Sequence, residues 1–482
     1  MAVIPQFVLD QCPRIFGLPF LGEGKVRQSY DLPGHPDKML VKATNRVSAY
    51  DFVLAGLIDD KGPCLDAENV FWTLDLSDMF ETDVVAFGAG IDEYLPEALR
   101  GDPELQKVAT VVRKYQSPDV EDVFRFLSLG SVAGRTEICG HRLPPLKKGD
   151  PFPMGPIYTP TTKAKTGHDQ NLDVNDVAAR LGFEHERTVL QIANRMKFRS
   201  AQRGLIMGDG KVEMWGKIFI DEKGTSDSCR FFLATAYEAA RKKGKLADPL
   251  DKEYVRMWLK SIGISPDKFD PENPEHIAYV HSKILPDDVR KMTTLIYRFF
   301  AWKLFGMKLE RYQREVMGIA VQDRKPTVEM LIGSESDRSQ IEGGIQRVSG
   351  RCKNRDIVVS CHRNHGELET YLKGKVLPDV FLAGAGEAAA LAGMTKSILC
   401  EAGRSDIPVI GVAFRGKDWK ADLAARLSIE NLPGQPVEMD QDGNAYFGPE
   451  GFIMACESAV RDEFLPKTIE KKDVKFGEWR TM

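Results

Sequence analysis

The sequence predicts an α+β domain over residues 1–320 and an α/β domain with a doubly wound parallel sheet over 327–466. Three observations carry this. The chain has 482 residues, 43% hydrophobic and 28% charged, enough for two or three cores of ordinary size. Up to about residue 318, short strand-like runs and helical stretches mix without fixed alternation. Beyond it, strand, loop and helix repeat in order, as parallel sheets require. Between the two, Val321-Gln322-Asp323-Arg324-Lys325-Pro326 is polar and ends in proline, so residues 321–326 read as a linker and 467–482 as a charged tail. Phe476 and Trp479 are the tail's candidates for docking.

In the first domain, residues 14–60 alternate turns with short strands. Leu21-Gly22-Glu23-Gly24-Lys25-Val26-Arg27 is a glycine-punctuated turn whose backbone N–H groups could approach a phosphate beside the Lys25 charge. Met39–Ala43, Val108–Arg113 and Val120–Leu127 read as strands, and Arg125 and Ser131 flank a turn at Gly130 as a candidate phosphate pair. Residues 148–171 form a long Pro/Gly/Thr-rich loop holding Lys163, Lys165, His168 and Asp169, and loops of that length are more often functional than connecting. Asp173–Arg203 has helical periodicity broken near Gly182. Val212, Met214, Ile218 and Ile220 alternate around Gly216 as a β-hairpin carrying Glu213 and Asp221. Phe232–Lys245, Pro249–Ile262 and Pro286–Gly318 read as helices, the last with a packing face of Met292, Leu295, Ile296, Phe299 and Leu304.

In the second domain, strands are expected at Val328–Ile332, Asp356–Ser360, Asp379–Leu382 and Pro408–Ala413. Helices should run to about Ser349, over Gly366–Leu372 and to Cys400. Ligands of such sheets bind beyond the carboxyl ends of the strands. Ser334, Ser336, Asp337, His362, Arg363 and Gly384–Gly386 all fall there.

Bulk properties exclude several classes. A net charge of −4, from 66 basic and 70 acidic residues, suggests neither nucleic acid nor a membrane surface as partner. The longest small-apolar stretch, Phe381–Met394, is too short to span a bilayer. The eight cysteines lack any C-x-x-C pair, and the N-terminus lacks a signal-peptide pattern, so a reducing, cytoplasmic location is expected. Two carboxylates on a hairpin, followed by Thr225, Ser226, Asp227, Ser228 and Arg230, look like hard-cation ligands beside an anion cradle. Mg²⁺ prefers one or two carboxylates plus phosphate oxygens. Acidic surface hairpins are also ordinary, so this pattern needs its surroundings to acquire a meaning.

Those surroundings are specific in order and combination. GKVRQSYDL (24–32), TNRVSAYDF (44–52), RFLSLGS (125–131), PIYTPTTKAKTGHDQN (156–171) and TSDSCRF (225–231) together resemble SAICAR synthetase. That ligase joins L-aspartate to carboxyaminoimidazole ribonucleotide (CAIR) using ATP. GSESD (333–337), SCHR (360–363), AGAGEAAALAGM (383–394) and PVIGVA (408–413) resemble the aminoimidazole ribonucleotide (AIR) carboxylase/mutase family, with its flavodoxin-like three-layer fold. The fused order resembles the bifunctional purine enzyme of animals.

The resemblance implies roles. Gly24, Lys25 and Glu121 would serve ATP, and Glu213 and Asp221 would hold Mg²⁺. Arg125, Ser131, Asp227 and Arg230 would bind CAIR, while Lys163 and Asp169, with His168, belong to the aspartate-side loop. In the second half, His362 would transfer the proton at C4 of the imidazole, with Ser334 and Asp337 in the catalytic set. Ser334, Ser336, Asp337, Ser360, Arg363, Gly384, Ala385 and Gly386 would hold AIR or CAIR, with CO₂ or bicarbonate as the carboxyl source. The family also implies a homo-oligomer, an octamer favoured.

Four departures stand out. Asn45 replaces the ligase's usual aspartate, a residue is added after Pro118, the Glu213–Asp221 hairpin is short, and Ala390 stands where the bacterial mutase pattern AAHLPGM has histidine. The second half therefore reads as a carboxylase of AIR, a mutase of the N-carboxy compound, or a degenerate binding or assembly module.

Overall fold

The computed structural model describes residues 3–116, 119–163, 169–221, 223–322, 324–469 and 473. Lys165, His168, Glu222, Phe476 and Trp479 lie outside them, as does Pro118, whereas Asp119, the position after it, lies within. The chain divides into two compact units, Met1–Gln322 and Asp323–Met482.

Among the described residues the first unit is built on two large sheets, with two two-stranded ribbons, Arg46–Ala49 with Phe52–Leu57 and Glu137–Ile138 with His141–Arg142, in addition. One large sheet is antiparallel, with spatial order Phe20–Glu23, Arg27–Asp31, Lys38–Ala43, Ala109–Arg113, Val84–Phe87. Its alternating residues Tyr30, Leu40, Ala109 and Val111 bury one face against Leu18, Ile91 and Leu95, as period-two patterning dictates. The other sheet centres on the long strand Leu205–Trp215. One side of that strand pairs with Val120–Arg125; the other pairs first with Cys229–Leu233 and then with Ile218–Ile220. Gly216, at φ +60, makes the tight turn of the last pair. A two-residue strand, Glu81–Thr82, adds in parallel to Ile218–Ile220 and passes at once into the first sheet.

Helices fill the remainder, with corrections to the sequence reading. The break at Gly182 is real and separates Val174–Leu181 from Glu184–Ala201. The helix expected over Phe232–Lys245 runs Ala234–Lys242, because Phe232 belongs to the strand Cys229–Leu233. Pro286–Gly318 is two helices, Asp287–Phe305 and Leu309–Glu315, since Gly306 adopts φ +72 and ends the first with a left-handed cap. The long loop 148–171 is not structureless: Ile157–Tyr158 and Thr161–Thr162 pair with Val120–Arg125. Lys61–Leu76, unforeseen, is a helix buried on almost every side, with Lys61, Asp66, Glu68 and Asn69 inside.

Among the described residues the second unit has five strands, all parallel, in the order Lys353–Val358, Thr327–Ile332, Val380–Ala385, Val409–Ala413, Tyr446–Phe447. This second-first-third-fourth-fifth order is the flavodoxin-like arrangement. Val328, Met330 and Ile332 enter the core on one face; Leu331 enters the other. Helices His365–Leu372, Leu391–Glu401 and Trp419–Glu430 cover the Leu331 face, and Gly448–Arg461 covers its opposite. Both faces of the central strands are buried, so Val380–Ala385 and Val409–Ala413 read as continuous apolar runs, whereas the edge strand Lys353–Val358 is polar and largely exposed. The final strand and the last two helices gave no signal strong enough to be placed from sequence.

Candidate active sites

The pairing register decides what the acidic hairpin can do. Glu213 lies opposite Ile220, so Asp221, one residue on, stands beside Glu213, and the two side chains interact. Each acid meets a cation. Lys163 Nζ donates to both Glu213 oxygens at 2.6 Å, and Arg27 Nη1 donates to Asp221 Oδ1 at 2.7 Å. Desolvation opposes ionisation of Asp221, but Arg27, Lys163 and Lys211 hold its carboxyl below the usual carboxylate range. Arg27 opens the strand after the Gly24–Lys25 turn, which closes through Gly24 N–H to Arg27 O at 2.9 Å. Lys25 itself pairs with Asp51 at 2.5 Å in an exposed position. Glu121 is buried and accepts from Lys211 Nζ at 2.7 Å.

A cavity of about 240 Å³ adjoins these groups. Met39, Val41, Leu65, Val112 and Ile220 give it apolar lining, and Arg27, Lys163, Glu213 and Asp221 give it charge. Such a mixture suits a flat base joined to phosphates. Asp66 also lines it; burial pushes its carboxyl up to about 7, against a hydrogen bond from Thr110 Oγ1 at 2.8 Å.

Arg125, Ser131 and Arg230 do come together, through a residue the sequence reading missed. Asp209 accepts from Arg125 Nη1 at 3.0 Å and from Arg230 Nε at 2.7 Å, and Arg125 Nη2 reaches Ser131 Oγ at 3.2 Å. Gly130, at φ +59, lies so close that a Cβ there would stand 2.9 Å from Arg230 Nη2. The signal was available: an acid between two glycines, in a strand whose register sets it opposite both Arg125 and Arg230. Asp209, Lys211 and Glu213 alternate along one strand, so they share a face.

Asp227 is placed elsewhere than the cradle's charge cluster. Its carboxylate accepts from Lys61 Nζ at 2.6 Å and Tyr297 OH at 2.5 Å, with Lys252 Nζ at 3.9 Å. Burial would raise its pKa, but Lys252 and Lys61, with both hydrogen bonds, hold it far below the ordinary range. The loop around it is fastened to the buried helix. Glu68 accepts from Ser226 N–H at 2.7 Å, Asn69 Oδ1 from Lys223 N–H at 3.3 Å, and Trp72 Nε1 donates to Gly224 O at 2.8 Å. Asn45, the departure from aspartate, accepts from Gly62 N–H at 2.8 Å and so caps this helix's start. Asp169 is exposed.

In the second unit, three strand ends converge. Gly333 N–H donates to Gly384 O at 3.0 Å, and Arg363 Nη2 reaches Gly333 O at 3.4 Å. Ser336 Oγ donates to Ser334 Oγ at 2.9 Å. Asp337 accepts from the Gly386 backbone, and burial pushes its carboxyl up. Ser360 Oγ accepts from Arg363 N–H at 3.3 Å. His362 is exposed, its Nδ1 3.9 Å from Cys361 Sγ. Ala385 ends its strand at the same edge, and Ala390 packs half-buried in the apolar core before Leu391–Glu401.

The family model described as SAICAR synthetase matches residues 20–269, just over half of the chain. The chain belongs to the SAICAR synthetase family. The model described as AIR carboxylase matches residues 327–445, so the family's domain is here fused to an AIR carboxylase-like one. A phosphoribosylaminoimidazole-succinocarboxamide synthase of Maridesulfovibrio salexigens is 34% identical over 54% of this chain and 89% of its own length. That of Desulfotalea psychrophila is 35% identical over 57% and 95%, and that of Schizosaccharomyces pombe 31% over 54% and 88%. Among solved structures, the Saccharomyces cerevisiae SAICAR synthase complexed with SAICAR aligns with TM-score 0.51 and 27% identity, over 61% of this chain and 97% of that one.

Proposed function

We propose that the chain is a bifunctional enzyme of purine biosynthesis. The second unit carboxylates AIR to CAIR, and the first joins CAIR to L-aspartate with ATP, yielding SAICAR, ADP and phosphate. One observation carries the ligase reading: the strand Leu205–Trp215 presents Asp209 of the double-arginine cradle and Glu213 of the acid pair on one face, four residues or about 13 Å apart. That spacing suits a substrate phosphate at one end and transferring phosphoryl oxygens at the other.

Arg125, Ser131 and Arg230 would hold the CAIR phosphate, with Asp209 fixing the two guanidinium planes. The apolar cavity would take adenine, and Gly24 and Lys25 would face the ATP phosphates. Glu213 and Asp221 stand side by side on the hairpin and would share Mg²⁺ with phosphate oxygens, as that ion prefers. Bound there, Mg²⁺ would neutralise charge on the transferring phosphoryl group. The CAIR carboxylate attacks the γ-phosphorus, giving an acyl phosphate and ADP. The aspartate amine then attacks the acyl carbon, loses a proton and expels phosphate. Lys163 and Arg27 stand ready to follow the phosphate charge; positioning and charge neutralisation supply most of the catalysis.

In the second unit His362 would move the proton at C4, above a floor of Gly384–Gly386 with Ser334, Ser336, Asp337, Ser360 and Arg363 on the ribonucleotide. Ala390, which brings no polar group to this edge, is the observation behind the second reading, a degenerate module, while a mutase of the N-carboxy compound is the alternative chemistry for the same residues. An oligomer, an octamer by family resemblance, accords with Trp419, Leu423 and Leu427 exposed at helical spacing; light scattering at micromolar concentration should give a mass well above the monomer's. No helix among the described residues is long and apolar enough to cross a membrane.

The deciding assay supplies AIR, bicarbonate, ATP, Mg²⁺ and aspartate to the purified chain and follows SAICAR. It is repeated with the N-carboxy compound and then with CAIR. SAICAR from all three is expected; none from CAIR would sink the ligase reading, and none from the other two would leave the second unit a module.

A further inference from the structure

Asp221 sits at φ +59, in the left-handed region that costs a non-glycine residue backbone energy and persists where its surroundings enforce it. The enforcement is visible. Asp83 Oδ2 accepts from Asp221 N–H at 3.1 Å, and Asp83 Oδ1 accepts from Lys223 Nζ at 2.6 Å. Lys223 Nζ donates a second bond to Asp221 O at 3.0 Å. Thus one ion pair grips the backbone of Asp221 from both sides of its α-carbon. Both partners are buried, Lys223 side chain 0% and Asp83 6% exposed. The Asp83 backbone is itself tied to both sheets, donating to Phe219 O at 3.2 Å and accepting from Arg113 N–H at 2.8 Å.

We infer that Asp83 and Lys223 are positioning residues for the ligase reaction: they lock the left-handed turn that brings the Asp221 carboxylate to Glu213. The inference rests on the reading of Glu213 and Asp221 as a shared cation site. Without the grip, Asp221 can relax to an ordinary conformation, and its carboxylate swings off the line set by the hairpin register. A two-carboxylate site has no spare ligand to absorb that loss. Asp83 also borders the cavity beside Asp221, but the arginine cradle is built from other residues, so CAIR binding there should be untouched.

The test uses the full chain with D83N and K223M, K223R as the conservative rescue, and E213Q and D221N as references. Two readouts are taken: Mn²⁺ affinity in the presence of a non-hydrolysable ATP analogue, by electron paramagnetic resonance, and the Mg²⁺ dependence of SAICAR formation from CAIR. D83N and K223M should weaken Mn²⁺ binding and raise the half-activating Mg²⁺ concentration at least tenfold. KM for CAIR should stay within twofold, and K223R should recover most of the affinity. Wild-type Mn²⁺ affinity in folded D83N, with E213Q and D221N defective, overturns the positioning role alone. Wild-type Mn²⁺ affinity in E213Q and D221N overturns the cation site and the positioning role together. Should K223M fail to fold, D83N decides, because its amide can still accept from Asp221 N–H while the charge on Lys223 goes unanswered.

Discussion

The two units build their candidate sites by opposite means. In the first, nearly every proposed side chain is held by another charge: Glu213 by Lys163, Asp221 by Arg27, Arg125 and Arg230 by Asp209, Asp227 by Lys61. In the second, the backbone does the placing. Three parallel strands end at one edge, their glycines bond one another, and His362 stands exposed. An ion-pair-built site ties stability to chemistry, because a buried charge left alone is costly. A topology-built site lets the reacting side chain change at little cost to the fold.

That contrast can be broken at its strongest point first. H362N should lower CAIR decarboxylation by about 10²–10⁴-fold, the usual worth of a proton-transfer group, with no loss of thermal stability and no change in ligation of supplied CAIR. E213Q should lower SAICAR formation by about 10²–10³-fold while decarboxylation continues; parallel loss of both activities would mean the units are not chemically independent. K61M, which strips Asp227 of its closest cation, should cost about 3–5 kcal/mol in denaturant unfolding, whereas a loss under 1 kcal/mol would remove the distinction between the units.

The smallest effect is set by Asp66. Its carboxyl is raised to about 7 in the folded state, against about 3.9 in an unfolded chain. The folded state therefore keeps a proton that the unfolded chain has lost, and stability falls as pH rises from about 4 to 7. At about 1.4 kcal/mol per pH unit the upper bound is about 4 kcal/mol. D66N should abolish this decline and gain on the wild type at pH 8 relative to pH 4; an unchanged pH profile would contradict it.

Legibility in the sequence followed the same division. The strand–loop–helix grammar after Pro326 is local, so strand ends carrying GSESD, SCHR and AGAG could be found from order alone. The acidic hairpin was equally plain, because Gly216 and alternation specify it, and its shortness is harmless since Asp221 follows directly on the residue facing Glu213. What escaped is long-range or inverted. Lys61 meets Asp227 across 166 residues, and no local pattern announces such a pair. The helix Lys61–Leu76 buries polar residues on the face that grips the acid loop, which erases the amphipathic signal. Gly306 ended a helix that composition alone would extend. Asp209 was overlooked because an acid within an apolar strand reads as a solvent-facing position.

Asp83 has one more consequence, in time rather than in space. Its counter-ion Lys223 is made 140 residues later. At about 5–20 residues per second, a ribosome needs roughly 7–28 s to deliver it. From Arg113 onward, which is most of that interval, the nascent chain holds all five strands of its first sheet and a carboxylate destined for burial with nothing to neutralise it. A fragment ending before Lys223 would be frozen at that stage, so the first sheet is not a module that can be cut out and studied alone.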